Sequence, residues 1–386
     1  STLLASSAAS DVYKRQVKTL IHRLKNKWNI TDAEDRVMCF DIQKENELFN
    51  GWEDDSVSPS RELLPNGKES RYKTGPYGKG LGLDHFVKKA GGIDIIIGGP
   101  PCQAYSVAGR VRDENGMRDD YRNYLFEHYL NVVNRYKPLV FIFENVPGML
   151  SAMPDGTPIT DLIEKGFESI GYEIINDLKK YAKIDASEYG VPQNRERLII
   201  MGIRKDAYSN PQALLKDFYV NILPSYKVER KMTVEEAIGD LPALYPIINE
   251  NSSPRRIGYT KAGCDVSWHR ARHHSLRDVE IYGMLAEDIA SGRNEYIDSK
   301  SLSNLYEERV GAKSPIHRYH VLRKDEPSTT IISHLDRDGN RFIHYDPKQC
   351  RDITPREAAR IQSFDDDFEF IGNQTDTYIM IGNAVP

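Results

Sequence analysis

Cysteine is scarce and scattered. Cys39, Cys102, Cys264 and Cys350 are the only four among 386 residues, and no two form a Cys-x-x-Cys pair. That spacing argues against a disulfide framework and a zinc ribbon, and fits a reducing compartment such as the cytoplasm. Long apolar runs are lacking too. The longest, near Ile95 and Phe141, are far too short to cross a bilayer, so no membrane partner is expected. Residues 1–16 have no apolar core segment of the kind a secretory signal needs, and their small, polar composition reads as a non-native tail. There is no excess of positive charge, since 52 Lys and Arg face 57 Asp and Glu for a net charge of −5. Overall charge therefore does not announce a nucleic-acid partner, although a local basic face stays open. No internal repeat or long low-complexity segment occurs. The chain does not begin with Met and stops just after a Gly-Asn turn, so it is read as a fragment missing both ends.

What the sequence does have is an abrupt strand end. Ile93-Asp94-Ile95-Ile96-Ile97 runs into Gly98-Gly99-Pro100-Pro101, and Cys102-Gln103 follows at once. Isoleucine at four of five positions, then a rigid breaker, predicts a buried strand opening into a loop. Ligands of open α/β sheets sit outside the carboxyl ends of strands, which places Cys102 where a reacting thiol is useful. The competing reading is an inert buried cysteine. A Pro-Pro-Cys-Gln turn, however, gives the sulfur little apolar chain to hide in.

Around that stretch, strand and helix patterns alternate. Helices are predicted over 17–28, 43–49, 124–136 and 161–170, the last with Thr160 as N-cap and Gly171 closing it. Strands are predicted over 36–40, 93–97, 139–143, 172–178 and 198–203. Residues 51–80 read as a long loop or insertion. This alternation predicts a doubly wound, mostly parallel α/β sheet. After residue 205 the periodicity fades. A capping-box pattern starts a helix at Thr233, and Thr354-Pro355 starts another with Pro at its first position. Between them lies a basic stretch of Arg255, Arg256, Lys261, Arg270, Arg272 and Arg277. A last strand is predicted at 378–381. The domain expectation is a tail at 1–16, a catalytic domain at 17–205, a second, irregular domain at 206–350, and a return to the first at 351–386.

Three strand ends carry polar groups: Asp41-Ile42, Pro101-Cys102-Gln103 and Glu144-Asn145. A Glu in such a pocket serves as a proton donor when burial raises its pKa, although a salt-bridged structural Glu is commoner. Gln193-Asn194-Arg195-Glu196-Arg197 leads into a strand and aims guanidinium groups, suited to planar oxygen acceptors, at the same edge. A thiol, a proton donor and a guanidinium together fit addition of a thiolate to an electron-poor ring.

Here the sequence resembles the DNA (cytosine-5)-methyltransferases. Gly99-Pro100-Pro101-Cys102-Gln103 matches their catalytic loop, with Pro100 in place of the usual Phe. The segment 122–127 resembles the one after that loop, and Phe143-Glu144-Asn145-Val146 matches their Glu-Asn-Val motif. Gln193 to Arg197 matches Gln-x-Arg-x-Arg, residues 354–362 match the helix bordering the target-recognition region, and residues 378–386 match the closing Gly-Asn-Ala-Val-Pro. The resemblance implies a Rossmann-like methyltransferase sheet and an irregular target-recognition domain over 206–350, with S-adenosyl-L-methionine as cofactor and duplex DNA as partner.

It also implies roles. Cys102 attacks C6 of a flipped-out cytosine, Glu144 holds or protonates N3, Arg197 contacts O2, and Arg195 orients Glu144 or a phosphate. C5 then takes the methyl group, and loss of the C5 proton releases Cys102. Asp41, Ile42, Gly99, Pro101, Leu125, Asn383 and Ala384 line the cofactor site. Gln103 and Ser106 reach the DNA, joined by Asn145, which also fixes the loop. Trp268 or Tyr259 stacks or wedges beside the basic stretch. His269, His273, His274, His317 and His320 raise a metal reading, but without a Cys pair no metal site is expected. The family's glycine-rich first motif and the acidic residue of its second are absent. Weak cofactor binding and near-inactivity of this chain are therefore expected. A cognate restriction endonuclease is a further expected partner, and the chain is expected to be a monomer. The open alternatives are a tRNA cytosine-5 methyltransferase and a non-catalytic DNA-binding module.

Overall fold

A computed structural model describes the chain except residues 1–3, 7–10, 41, 43, 53–79, 101–124, 154–155, 251, 264–265 and 313–318. Contacts divide it into two compact units: residues 1–185 with 196–227, and residues 186–195 with 228–386.

The first unit opens with β1 (Leu4–Ser6), helix α1 (Asp11–Trp28), a short α2 (Ala33–Arg36) and β2 (Val37–Cys39). Strands β1 and β2 pair in parallel as a two-stranded sheet. Helix α1 thus begins six residues before the expected start at Val17, inside the stretch read as a tail. Helices α3 (Glu45–Asn50) and α4 (Gly82–Ala90) follow. The main sheet holds β3 (Ile95–Gly98), β4 (Val140–Asn145), β5 (Tyr172–Ile174), β6 (Lys183–Asp185) and β7 (Glu196–Arg204). Helices α5 (Leu125–Tyr136), α6 (Ile159–Ser169) and the short α7 (Leu178–Tyr181) connect them. Strand β3 is parallel to β4, whereas β7 is antiparallel to β4, β5 and β6. Four strands therefore share one direction and β7 alone is reversed. This is the α/β, Rossmann-like arrangement the alternation predicted.

One aromatic core holds the sheet to α5 and α6. Phe141 stacks on Phe167 at 4.0 Å between centroids, and Phe126 meets both Phe143 and Phe167 edge-on. Opposite Phe141 in the ladder stands Gly202, and a Cβ there would lie 2.0 Å from the Phe141 ring. The ring covers the gap that a strand glycine leaves. The far edge of β7 is shared by β5 and β6, which leaves Ile199 to Met201 between their ladders. The Tyr219 hydroxyl fills that gap, donating to Ile199 O and accepting from Met201 N–H, each at 2.8 Å.

Three local expectations need correction. Strand β3 is not buried: Ile95 and Ile97 are 55% and 71% exposed, because β3 pairs with β4 alone among the described strands. A continuous apolar run cannot say which strand ends at a sheet edge. Helix α6 is preceded by Pro158 rather than capped by Thr160, although Gly171 does take the left-handed conformation after it. Strand β5 stops at Ile174, and Asp177 at positive φ starts α7 instead.

The second unit is less regular. Helix α8 (Pro211–Asp217) still belongs to the first unit. The second unit's own elements are α9 (Val234–Ile238), the two-residue pair β8 (Pro246–Ile247) and β9 (Gly258–Tyr259), then α10 (Leu276–Ala290), α11 (Ser299–Val310), α12 (Pro355–Ile361) and α13 (Gln374–Asn383). Thr233 completes a capping box with Glu236, as its spacing predicted, and Thr354, before the expected Pro355 start, completes another with Glu357. The strand expected at 378–381 is instead part of α13. A third capping box, Asn373 with Asp376, starts that helix, and four apolar residues carry no period able to oppose it.

Candidate active site

The main sheet gathers several of the expected residues at one edge. Strand β3 ends at Gly98, and a Cβ there would meet the Tyr129 ring at 2.4 Å. The same Tyr129 donates from its hydroxyl to Ile142 O at 3.0 Å, fixing α5 against the β3–β4 pair. Glu144 and Asn145 close β4. Because β7 is reversed, its first residues, not its last, lie at the edge where β3 and β4 finish. Arg197 thereby reaches Glu144, with Nε 2.9 Å from Oε1 and both side chains less than one-fifth exposed. Burial pushes the Arg197 guanidinium below its usual range, and the Glu144 carboxylate opposes this. Even so, it stays a cation at neutral pH. Arg197 also donates to Glu196 O at 2.7 Å.

Gly99 lies directly against this pair, since a Cβ there would be 2.6 Å from Glu144 Oε2. Asn145 Nδ2 donates to Pro100 O at 3.3 Å, and its Oδ1 accepts from Val146 N–H at 2.8 Å. Asn145 is only 3% exposed, so its amide secures the β3 exit and has no surface for the DNA contact expected of it. Four expected residues of the first unit, Gly99, Glu144, Asn145 and Arg197, thus come together. Cys102, Pro101, Gln103, Ser106 and Asp41 lie outside the described residues.

Ile42 is half-buried against the cluster of Phe40, Leu48, Phe49 and Leu83, and Leu125 is buried at the start of α5. Arg195, Asn383 and Ala384 belong to the second unit. There Arg195 Nη2 donates to Ala384 O at 2.9 Å and Nη1 to Ile331 O at 2.8 Å. At 3% exposure its terminal nitrogens are committed to backbone carbonyls. Asn383 ends α13 exposed.

Sequence reasoning missed a pair of glutamines behind Arg195. Gln193 Nε2 donates to Gln362 Oε1 at 2.9 Å, and Gln193 Oε1 accepts from Ile331 N–H at 2.7 Å. Gln362 Nε2 donates to Ile381 O and Ala384 O. Both glutamines are fully or nearly buried, and a buried amide costs free energy unless its donors and acceptors are paired. Only the position of Gln193 and Gln362 inside two motifs hinted at this.

Two of the histidines are held by structural contacts, and His317 lies outside the described residues. His269 is held between Thr354 Oγ1 and Pro242 O, and His274 Nε2 sits 3.0 Å from Asp352. Trp268 takes a positive φ of 66° with the Arg270 guanidinium 4.7 Å over its ring, and Arg356 donates to Ser267 O at 2.9 Å and to Trp268 O at 3.2 Å. Exposed Arg255 and Arg256 lie just before Ile257, which pairs with His274 across an antiparallel bridge.

With this geometry in place, the comparisons are decisive. The model of the C-5 cytosine-specific DNA methylases matches residues 82–386. The chain belongs to the C-5 cytosine-specific DNA methylase family. A type II methyltransferase of Bacillus paralicheniformis, M.Bpa9945I, is 34% identical over 77% of this chain and 68% of its own length. M.AgeI of Thalassovita gelatinovora, another type II methyltransferase, is 30% identical over 77% of this chain and 80% of its own. The solved structure of the Entamoeba histolytica methyltransferase EhMeth covers 78% of this chain and 75% of that chain, at 14% identity and a TM-score of 0.41.

Proposed function

We propose that this methylase modifies C5 of a cytosine in duplex DNA through a covalent Cys102 adduct, as the modifying component of a type II restriction-modification system. The observation that carries the reading is the Glu144–Arg197 pair closed against Gly99 at the carboxyl edge of the sheet. The Cys102 thiolate forms the S–C6 bond, and the C5=C6 electron pair moves into the ring. Glu144 delivers a proton to N3 as that nitrogen gains charge, and Arg197 stabilises the charge building at O2. C5 becomes nucleophilic. Once C5 is substituted, loss of its proton to water returns the electron pair and expels the thiolate, and N3 gives its proton back to Glu144 as the aromatic ring is restored.

S-adenosyl-L-methionine, when bound, supplies the methyl group. In the first unit, Ile42, beside its aromatic cluster, and the buried Leu125 offer apolar surface that suits the adenosine half of that molecule. Asp41, Gly99 and Pro101 would complete that side of the wall. Gln103 and Ser106 would contact the DNA backbone. The region 206–350 would read the target, with Arg255, Arg256 and Arg270 on phosphates and Trp268 stacking.

Tritium release from duplex DNA carrying 5-tritiated cytosine tests the chemistry without the methyl donor. Addition of the thiolate lets C5 exchange its hydrogen with water before elimination. The expected result is release that Cys102→Ala abolishes, and release from tRNA instead of duplex DNA would redirect the substrate. A chain that binds duplex DNA but releases no tritium would sink the catalytic reading.

A further inference from the structure

We propose that Gly99 is a positioning residue for Glu144: its missing side chain leaves the space in which the carboxylate is held against Arg197. The proposal rests on the reading of Glu144 as the proton donor, and extends it to a residue so far assigned only to the cofactor wall.

The backbone of Gly99 does not adopt a left-handed φ, so conformational freedom does not explain the glycine. Space does. A Cβ built there lies 2.6 Å from Glu144 Oε2, 3.6 Å from Glu144 O and 3.7 Å from Glu144 Cβ. Real Cβ atoms essentially never approach a neighbour at 2.6 Å, so one of the two must move. The carboxylate is thus bounded on two sides, by the Gly99 backbone at Oε2 and by Arg197 Nε, 2.9 Å from Oε1.

The neighbouring glycine gives the contrast. A Cβ at Gly98 would strike the Tyr129 ring at 2.4 Å, and that ring is 5% exposed and anchored by its hydroxyl to Ile142 O. Gly98 therefore serves packing. At Gly99 the obstacle is the far end of a flexible side chain, which yields more cheaply than a packed ring. A methyl group at Gly99 should leave the β3–β4 pairing intact and swing the carboxylate away from Arg197. Proton delivery depends on heavy-atom placement within hydrogen-bond reach, so the consequence falls on chemistry.

The test uses the full chain and its Gly99→Ala variant. Carboxyl carbon NMR, with Glu144 assigned through Glu144→Gln, follows the titration of that one group. Losing its cation raises the midpoint in Gly99→Ala. An unmoved midpoint overturns the proposal whatever the activity. Tritium release from 5-tritiated cytosine in duplex DNA should fall by about 10²-fold in Gly99→Ala, with thermal midpoint and DNA affinity unchanged. Adding Glu144→Asp, whose shorter chain withdraws the carboxylate from the new methyl, should recover about tenfold of that loss. Where Glu144→Gln itself loses release, wild-type release rates in Gly99→Ala, or no recovery in the double variant, overturn the proposal. If the midpoint moves while Glu144→Gln releases tritium like wild type, the placement by Gly99 stands. It is then the proton-donor reading of Glu144 that fails.

Discussion

Arg197 Nε lies 2.9 Å from Glu144 Oε1, and the two residues stand on antiparallel strands, two ladder positions out of register. The reversed strand brings a cation to the point where the parallel strands finish. Arg197→Lys keeps the charge but loses the planar fork, so two acceptors, the carboxylate and the ring oxygen, can no longer be served together. Tritium release is expected to fall by about 10²-fold in Arg197→Lys and further in Arg197→Ala, with DNA affinity changed much less. Equal losses in release and affinity would assign Arg197 to binding instead.

Acid should destabilise the second unit from an unusually high pH. His344 is fully buried, and burial first, then the Arg351 cation, hold its pKa down to about 4. Its Nδ1 accepts from Asp346 N–H at 3.0 Å, which blocks protonation there. In the unfolded chain it titrates near 6.5. Stability is therefore complete above that value and falls as pH drops toward 4, by on the order of 3 kcal/mol. Burial would raise Glu357, but Arg351, bidentate at 2.7 Å, carries it down to about 2. That adds a second loss, of similar size, from about pH 4.5 downward. Urea unfolding between pH 8 and pH 4 checks this. His344→Gln should flatten the slope between pH 6.5 and 4.5 and leave the lower limb.

The gap between the β5 and β6 ladders predicts a measurable role for one hydroxyl. Tyr219→Phe leaves Ile199 O and Met201 N–H without the partner they now share. Two part-buried backbone groups left without that partner should cost about 1–3 kcal/mol. Denaturant titration measures it directly, and a cost within error of zero would mean that water replaces the hydroxyl.

Gly382 predicts a backbone requirement rather than a chemical one. A Cβ there would lie 2.3 Å from Ile332 O and 2.8 Å from Ser333 Cα, so α13 would have to shift against a backbone that cannot yield cheaply. Gly382→Ala should cost about 1–3 kcal/mol. Faster proteolysis at 331–335 and a lower thermal midpoint are the expected readouts, with an unchanged midpoint counting against the contact.

Much of the fold was legible because its signals are local. Apolar runs stopped by glycine and proline, the capping box at Thr233 and the helix start at Thr354-Pro355 each act within a few residues. Local signals also failed where neighbours decided. The isoleucines of β3 say "strand" equally well at the centre or the edge of a sheet, and the run 378–381 was too short to outweigh the Asn373 cap. The site was half legible. Motif residues placed Glu144 and Arg197 together, but the same motif gave no warning that Arg195, two residues away, turns to Ala384 and Ile331.

By itself, the sequence determined the family, the alternation of an α/β sheet, and the residue types at each strand end, because these reside in composition and short-range order. Tertiary structure alone decided that β7 runs backwards and hands Arg197 to Glu144, and that Gln193 meets Gln362 across 169 positions of chain. It alone showed that Gly99 is a space and not a hinge. Those facts depend on which backbones approach one another, and no spacing along a chain encodes a distance between segments that only the packed core brings together.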